Sequence, residues 1–241
     1  GVAVSKPLPL ARYEIIESRA ADFYGLDKTP IEVEIEHEGQ IVKAAMTNKS
    51  LYTNVSIKKT GYAQTMNNNI MRWTVSGVRN DSTTSLQSFY WRDTLPTDAV
   101  RLTRLVTGTY STTQTYKVTF TTNLNSQWRT AYDNLSTAKN YTLDMSSAAL
   151  GLASNEYVTQ FMLSFGIVPA GFHQLTNATV DAQTLYALTN GYKFTNKADV
   201  GGLLGGNWVQ SIARWTTSIN SHYVPAKPAA PKSPTLPRTG Y

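Results

Sequence analysis

The sequence predicts an all-β protein whose main part is a β-sandwich of immunoglobulin-like type, and three observations support this fold class. Many short segments alternate apolar and polar side chains with the period of two that half-buried strands require. Turn-forming Gly, Pro and Asn residues separate these segments. Strand-favouring Thr, Val and Tyr are frequent, whereas heptads and solenoid-type repeats are missing.

The first part of the chain, residues 1–53, is predicted to form short β-hairpins. In 13–17, Tyr13, Ile15 and Glu17 share one face; 31–35 alternates in the same way, with glutamates at its outward positions. A Glu-Gly turn at 38–39 leads into another alternating segment at 42–48, which predicts a further strand. Such short strands bury little apolar surface alone, so we expect this part to be incomplete or to lean on a neighbour.

The main part, residues 54–223, is predicted to be the sandwich. Its strands are expected at 55–61, 71–75, 89–93, 116–120, 161–165, 194–200 and 208–216. A turn is predicted at Pro169-Ala-Gly171. In the less regular stretch 126–155, we expect a short helix near residues 128–135.

The segment Val55-Ser-Ile-Lys-Lys-Thr-Gly61 places a lysine where a buried face is expected. In a strand, Lys59 shares its side with Val55 and Ile57, whereas Lys58 points the other way. Because an ammonium group is costly to bury, Lys59 either lies at a strand end and reaches water or has a special partner.

Three motifs of the main part resemble, in content and order, the pattern of collagen-adhesin A-type and related surface-repeat domains. They are Val-x-Ile-x-Lys-Thr-Gly at 55–61, Phe-x-Trp-x-Asp-x-Leu-Pro at 89–96 and Phe-x-Asn-x-Ala-x-Val at 194–200. The resemblance implies an isopeptide bond, an amide between the side chains of Lys59 and Asn196, with Asp93 as the proton shuttle. The alternative is a buried Lys59–Asp93 ion pair with Asn196 as a hydrogen-bond partner.

Burial gives this chemistry a physical basis. A desolvated lysine loses its proton more easily, and a desolvated carboxyl group holds one more tightly. A neutral Lys59 amine is then a nucleophile, while a protonated Asp93 can polarise the Asn196 carboxamide and pass protons as ammonia leaves. The bond would form once within the chain, so the process is maturation and not enzymatic turnover.

The first part resembles the collagen-adhesin B-type domain, which has a prealbumin-like fold. Its segment 13–18 is similar to the Tyr-x-Leu-x-Glu-Thr box of that family, and 24–30 is similar to the segment that follows the box. The resemblance implies that residues 1–53 are the C-terminal part of such a domain. It also implies that Glu17 assists an amide bond between Asn48 and a lysine on a strand upstream of the first residue. The alternative is that Glu17 and Asn48 are ordinary polar strand residues.

The last segment, residues 224–241, is a Pro-rich linker that ends in a sorting signal. Pro-rich runs cannot donate sheet hydrogen bonds and favour an extended spacer. The Leu-Pro-x-Thr-Gly signal of sortase substrates is matched at every fixed position by Leu236, Pro237, Arg238, Thr239 and Gly240. The resemblance implies that sortase cuts between Thr239 and Gly240 and joins Thr239 to peptidoglycan or to another pilin subunit.

Composition excludes several classes of function. The chain has no cysteine, which excludes disulfides, thiolate metal sites and cysteine nucleophiles. The formal charge is +6, but the longest basic run is Lys58-Lys59, so no nucleic-acid partner is predicted. The three histidines lack metal-ligand spacing, no phosphate-binding loop is present, and no apolar stretch is long enough to span a membrane. We expect no metal, no cofactor and no membrane segment in the mature form.

These features predict a structural, extracellular protein anchored to the cell wall of a Gram-positive bacterium, either a pilin subunit or an adhesin stalk. An enzyme is not expected, because the Ser-x-x-Lys and Lys-Thr-Gly motifs of penicillin-binding enzymes here share Lys59, whereas that site needs them on separate elements. The alternative function is an adhesin domain that binds a host matrix protein or a glycan. Trp128, Tyr132 and Tyr141 are the candidate ligand-binding aromatics, unless they are packing residues.

Overall fold

The computed structural model describes residues 2–21 and 23–221 of the chain. Within these ranges the chain forms sixteen strands and no helix, which confirms the predicted all-β class. The strands are β1 (Ala11–Ile15), β2 (Ile31–Ile35), β3 (Val55–Gly61), β4 (Gln64–Thr65), β5 (Met71–Asn80), β6 (Leu86–Thr94), β7 (Val100–Val106), β8 (Thr109–Tyr110), β9 (Thr115–Thr122), β10 (Arg129–Ser136), β11 (Thr142–Asp144), β12 (Val158–Val168), β13 (Gln174–Thr176), β14 (Ala178–Thr184), β15 (Lys193–Leu204) and β16 (Asn207–Ile219).

Two larger sheets build the main part of the molecule. The seven-stranded sheet has the order β10-β9-β12-β6-β15-β16-β4, and only its β16–β4 pair is parallel. The five-stranded sheet has the order β11-β7-β14-β5-β3. Its edge strand β3 contacts β15 and β16 of the other sheet, so the two sheets form the layers of a sandwich. The pairs β1–β2 and β8–β13 form two small separate sheets.

Large aromatic side chains fill the space between the two layers. Trp73, Phe89, Trp91, Tyr110 and Phe161 are all fully buried. The indole Nε1 of Trp91 donates a hydrogen bond to the Tyr110 hydroxyl at 2.8 Å, so the polar end of this buried ring is satisfied. Each such ring contributes about 1.5–3 kcal/mol through burial alone, so the sandwich has a substantial core without any disulfide.

The helix expected near residues 128–135 is wrong, because this stretch forms strand β10 against β9. Two register shifts interrupt the pairing, and Asn134 has a φ of 54°. These irregularities let Tyr132 and Leu135, three residues apart, both face the neighbouring core. A bulged strand can thus produce the spacing of three that is otherwise typical of a helix.

The first part of the chain is simpler than the sequence suggested. The predicted hairpin is confirmed, because β1 and β2 pair in antiparallel register from Ala11–Ile35 to Ile15–Ile31. The strand expected at 42–48 is wrong, because these residues form no sheet pairing and their side chains are mostly exposed. Alternation alone does not create a strand where no neighbour offers backbone hydrogen bonds.

Candidate functional site

The inward-facing lysine of β3 lies at the centre of the candidate site. Val55, Ile57 and Lys59 are buried, whereas Lys58 is exposed, as the alternation predicted. The partner strand β5 carries a bulge at Gly77, whose φ is 62° and which absorbs a register shift opposite residues 56–58. The bulge leaves the period of β3 intact, so Lys59 stays on the core face.

Asp93 and Asn196 reach the same layer from the opposite sheet. Asp93 on β6 pairs directly with Ala198 on β15. Asn196 lies two residues before Ala198 on the same face of β15, which makes it the diagonal neighbour of Asp93. Both side chains are fully buried. The three motifs that are distant in sequence therefore converge on the interface between the sheets.

Lys59 and Asp93 form a fully enclosed pair across the sandwich. Lys59 Nζ donates to Asp93 Oδ2 at 2.5 Å, and both side chains are 0% exposed. This burial excludes the interpretation that Lys59 reaches water at a strand end. Lys59 Nζ also lies 5.9 Å from the centre of the Trp73 ring, which packs edge-on against Phe194. The two aromatic rings help to keep water away from the pair.

Burial raises the pKa of Asp93 above its ordinary value, and this effect outweighs the opposing influence of the nearby Lys59. Transfer of the shared proton to Asp93 would leave two neutral groups and remove the cost of holding two desolvated charges. The short distance between Nζ and Oδ2 places donor and acceptor in position for that transfer. The environment of Asp93 therefore favours protonation of this carboxyl group more than an exposed position would.

The Asn196 carboxamide is buried without a formed hydrogen bond. It lies near enough to Asp93 to favour the ionised carboxylate, yet Asn196 Nδ2, Asn196 Oδ1 and Asp93 Oδ1 have no partner in hydrogen-bonding geometry within the described residues. An unsatisfied buried amide costs about 1–3 kcal/mol. Such a group in the core calls for an explanation, and its neighbour Asp93 is itself in contact with the amine of Lys59.

Gly61, the last residue of β3, lies so close to two tryptophan rings that a side chain at this position would collide with them. A Cβ atom at Gly61 would lie 2.6 Å from Trp73 Cδ1 and 3.0 Å from Trp215 Cδ1. A side chain here would push aside the ring that covers the lysine. The Gly of the Val-x-Ile-x-Lys-Thr-Gly motif therefore has a packing role that the motif alone did not explain. Sequence analysis also did not assign Trp73 to the pocket, although its inward parity on the neighbouring strand indicates that position.

Glu17 and Asn48 also meet, in the first part of the chain. Asn48 Nδ2 donates to Glu17 Oε1 at 2.7 Å, while Glu17 Oε2 accepts a hydrogen bond from the backbone N–H of Asp27. Asn48 Oδ1 is buried and has no partner within the described residues. Both residues lie outside regular strands and are only partly buried. No lysine accompanies them in the described contacts.

The sorting signal at 236–240 and its Pro-rich linker lie outside the described residues. Among the residues that are described, no helix is long and apolar enough to cross a membrane, and no three His, Asp or Glu side chains cluster as metal ligands.

Comparison with known proteins gives weak structural likenesses only. No family model and no curated protein matches the chain. Among solved structures, it is similar to the major pilin subunit of Bacillus cereus, with 9% identity and a TM-score of 0.37. That match covers 88% of this chain and 56% of the pilin, so the chain spans little more than half of the pilin's length. A CARDB domain from Pyrococcus furiosus, described in complex with di-metal ions, matches with 14% identity and a TM-score of 0.26, over 70% of this chain and 94% of that domain.

Proposed function

We propose that this chain is a structural surface protein, a pilin subunit or an adhesin stalk, whose main part is locked by an amide bond between Lys59 and Asn196. One observation carries the proposal: Lys59 and Asp93 form a contact of 2.5 Å with no exposure to water, beside a buried and unpaired Asn196 carboxamide. The set links the edge strand of one sheet to a central strand of the other.

The reaction begins with transfer of the Lys59 proton to Asp93. The neutral Nζ then attacks the Asn196 carbonyl carbon, while protonated Asp93 donates a hydrogen bond to the carbonyl oxygen. A C–N bond forms between Nζ and the carbonyl carbon, the bond to Nδ2 breaks, and Nδ2 leaves as ammonia. Asp93 carries a proton from the attacking amine to the leaving nitrogen. No oxidant, metal or cofactor is needed.

The alternative, a permanent Lys59–Asp93 ion pair, accounts for the same 2.5 Å contact. It leaves the polar atoms of Asn196 unsatisfied in the core, whereas the amide bond removes Nδ2 from the protein. An ion pair in a fully dry site also adds little net stability, because desolvation offsets the attraction. The unpaired carboxamide therefore favours the amide bond.

A bond at this position would have a mechanical purpose. Closing the long loop between Lys59 and Asn196 is worth about 5 kcal/mol by the loop-entropy estimate used for disulfides. It would also tie an edge strand to the opposite layer, so tension on the chain would not peel β3 away. Because the chain has no cysteine, this amide would supply a cross-link that a disulfide cannot supply here.

The surface location in this proposal depends on the C-terminal sequence motif. We propose that residues 224–241 are the linker and sortase signal, that 54–223 are the linked sandwich, and that 1–53 are the C-terminal part of a B-type domain. Sortase would then be the processing partner, and peptidoglycan or another pilin subunit would be the attachment point. The protein would be extracellular and would catalyse no turnover.

Intact-protein mass spectrometry tests the amide bond. The wild-type chain is expected to weigh less than its sequence by one ammonia molecule, and Lys59→Ala, Asp93→Ala and Asn196→Ala are each expected to abolish the deficit. Lys58→Ala is the matched control, because Lys58 is the exposed neighbour on the same strand and its loss leaves the deficit in place. A wild-type chain of full sequence mass would contradict the proposal.

Incubation with sortase and a glycine nucleophile tests the anchoring separately. The expected product lacks Gly240 and Tyr241 and carries the nucleophile on Thr239. A Thr239→Ala variant is the control and should remain uncleaved. An intact wild-type chain after incubation would remove the argument for wall attachment but not the argument for the amide bond.

A further inference from the structure

The outer face of the seven-stranded sheet carries a groove of about 650 Å³. It lies on the face opposite to the Lys59 pocket: on β6, Trp91 and Asp93 point into the core, whereas Tyr90 and Arg92 line the groove. Its volume is within the range of small-molecule binding sites. The groove is therefore a feature of the sandwich that the covalent link does not use.

Partly exposed indole rings belong to the wall of this groove. Trp128 is 40% exposed and Trp208 is 53% exposed. Trp208 packs edge-to-face on Tyr90 with 6.0 Å between ring centres, and Gln210 Nε2 donates to the Tyr90 hydroxyl at 2.9 Å. The Tyr90–Trp208 unit is thus held in place before any ligand arrives, which lowers the entropy cost of binding.

The backbone around the groove is irregular in several places. Ser88 on the β6 wall has a φ of 49°, and Gly166 on the β12 wall has a φ of 73° at a register shift between these strands. Asn134, next to the groove residue Asp133, has a φ of 54° in the bulged β10. Left-handed backbone is uncommon for residues other than glycine, and such strain and bulges concentrate at functional sites, where they redirect side chains.

The charges of the groove nearly cancel. Arg92 is engaged by both carboxylate oxygens of Asp199, at 3.1 and 2.9 Å. Lys117 and Asp133 add one charge of each sign. A polyanion or a polycation would find little net attraction here, so the groove suits an uncharged polar ligand.

The floor of the groove is the face of a sheet and not an edge. The strands β6, β9 and β12 each pair on both sides, so their backbone groups are already used. An extended peptide could not add to them as a further strand. A ligand of this groove must therefore be bound by the aromatic and polar side chains that line it. Exposed indoles next to uncharged donors and acceptors fit the two surfaces of a pyranose, whose C–H face is apolar and whose rim carries hydroxyl groups.

We propose that this groove binds a neutral oligosaccharide, with Trp128 and Trp208 stacking on sugar rings and Gln210 and Ser164 contacting hydroxyl groups. This activity goes beyond the structural role and does not depend on the Lys59–Asn196 bond.

The groove contains only one of the three aromatic residues that the sequence indicated as ligand-binding candidates. The Tyr132 hydroxyl donates to the Asp144 carbonyl and the Tyr141 hydroxyl accepts from the Ser136 N–H, so of the three aromatics predicted from the sequence only Trp128 lines the groove.

Titration calorimetry of the full chain with maltohexaose, cellohexaose and chitohexaose tests the proposal. Saturable binding to at least one of them is expected, weakened roughly tenfold or more by Trp128→Ala and by Trp208→Ala, because each removes a stacking surface. Tyr52→Ala, an exposed aromatic outside the groove, is the matched control and should bind as the wild type does. Binding equally strong in all four proteins would overturn the assignment to this groove.

An NMR titration of the wild-type chain tests the same proposal without variants, so it does not depend on whether the variants fold. The chain has five tryptophans, so the sugar should shift the indole N–H signals of Trp128 and Trp208 and leave those of the inward Trp73 and Trp91 unchanged. No shift and no heat with any of the three sugars at millimolar concentration would overturn the proposal. So would a collagen-type peptide that shifts the same two indoles while no sugar does, because the ligand would then be a polypeptide.

Discussion

The molecule holds two polar clusters of similar composition in different surroundings. In the sandwich, Lys59, Asp93 and Asn196 converge in a dry layer between two sheets. In the first part, Glu17 and Asn48 share a hydrogen bond of 2.7 Å in a partly buried site beside a two-stranded hairpin. The first cluster contains acid, amine and carboxamide, whereas the described contacts of the second contain only acid and carboxamide.

This difference shows what a core contributes to chemistry. Enclosure in the sandwich raises the pKa of Asp93 and excludes water from the amine. Near the hairpin, the described residues bury Glu17 only partly, and its carboxylate accepts hydrogen bonds from Asn48 and Asp27. An acid and a carboxamide thus occur in both regions, but only in the sandwich are they fully enclosed together with a lysine.

The largest expected effect comes from Asp93→Ala. It would prevent the amide bond and leave Lys59 buried without a partner, and loss of one member of a buried pair costs about 3–5 kcal/mol. Guanidinium unfolding should show this loss in addition to that of the cross-link. Asp133→Ala removes an exposed carboxylate and should change the free energy of unfolding by only about 0.5 kcal/mol. Similar effects of the two substitutions would contradict a special environment for Asp93.

The double variant Lys59→Met with Asp93→Leu separates the bond from the ion pair. Apolar replacement of a buried ion pair is often neutral or stabilising, so a chain that held only an ion pair should lose little. If the wild type is cross-linked, the double variant should unfold more easily by about 5 kcal/mol, the loop-entropy contribution. Equal or greater stability of the double variant would favour the ion pair.

Gly61→Ala is expected to have an intermediate effect. The new methyl group would press on Trp73 and Trp215, and overpacking of this kind costs about 1–3 kcal/mol. Thr60→Ala, an exposed neighbour on the same strand, is the control. Thermal unfolding at two scan rates would measure both; a Gly61→Ala chain as stable as the wild type would show that the rings move aside freely.

The smallest effect is expected for Glu17→Ala. It removes the hydrogen bond from Asn48 in a partly exposed site, which is worth about 1 kcal/mol. The sandwich should be unaffected, so the ammonia deficit of the intact mass should persist. If the Glu17→Ala chain had its full sequence mass, the two polar clusters would be coupled and not independent of each other.

Sequence patterns predicted seven strands of the sandwich and the inward position of the three motif residues, but not β7 and β14 of the five-stranded sheet. The period of two in 55–61, 89–93 and 194–200 defines which side chains point inward, and burial follows from that parity. The bulged β10 could not be inferred, because a register shift depends on the partner strand and not on local composition. The groove was missed for the same reason: Trp208 and Tyr90 are 118 positions apart and become neighbours only through the pairing of β6, β15 and β16.

A crystal structure at high resolution would show whether Lys59 and Asn196 are covalently joined. We expect continuous electron density from Lys59 Nζ to the Asn196 side-chain carbonyl carbon, with no density for Nδ2 and with Asp93 hydrogen-bonded to the new amide. Separate density for an ammonium group and an intact carboxamide, clearly beyond bonding distance, would contradict it and leave an ion pair at the centre of the sandwich.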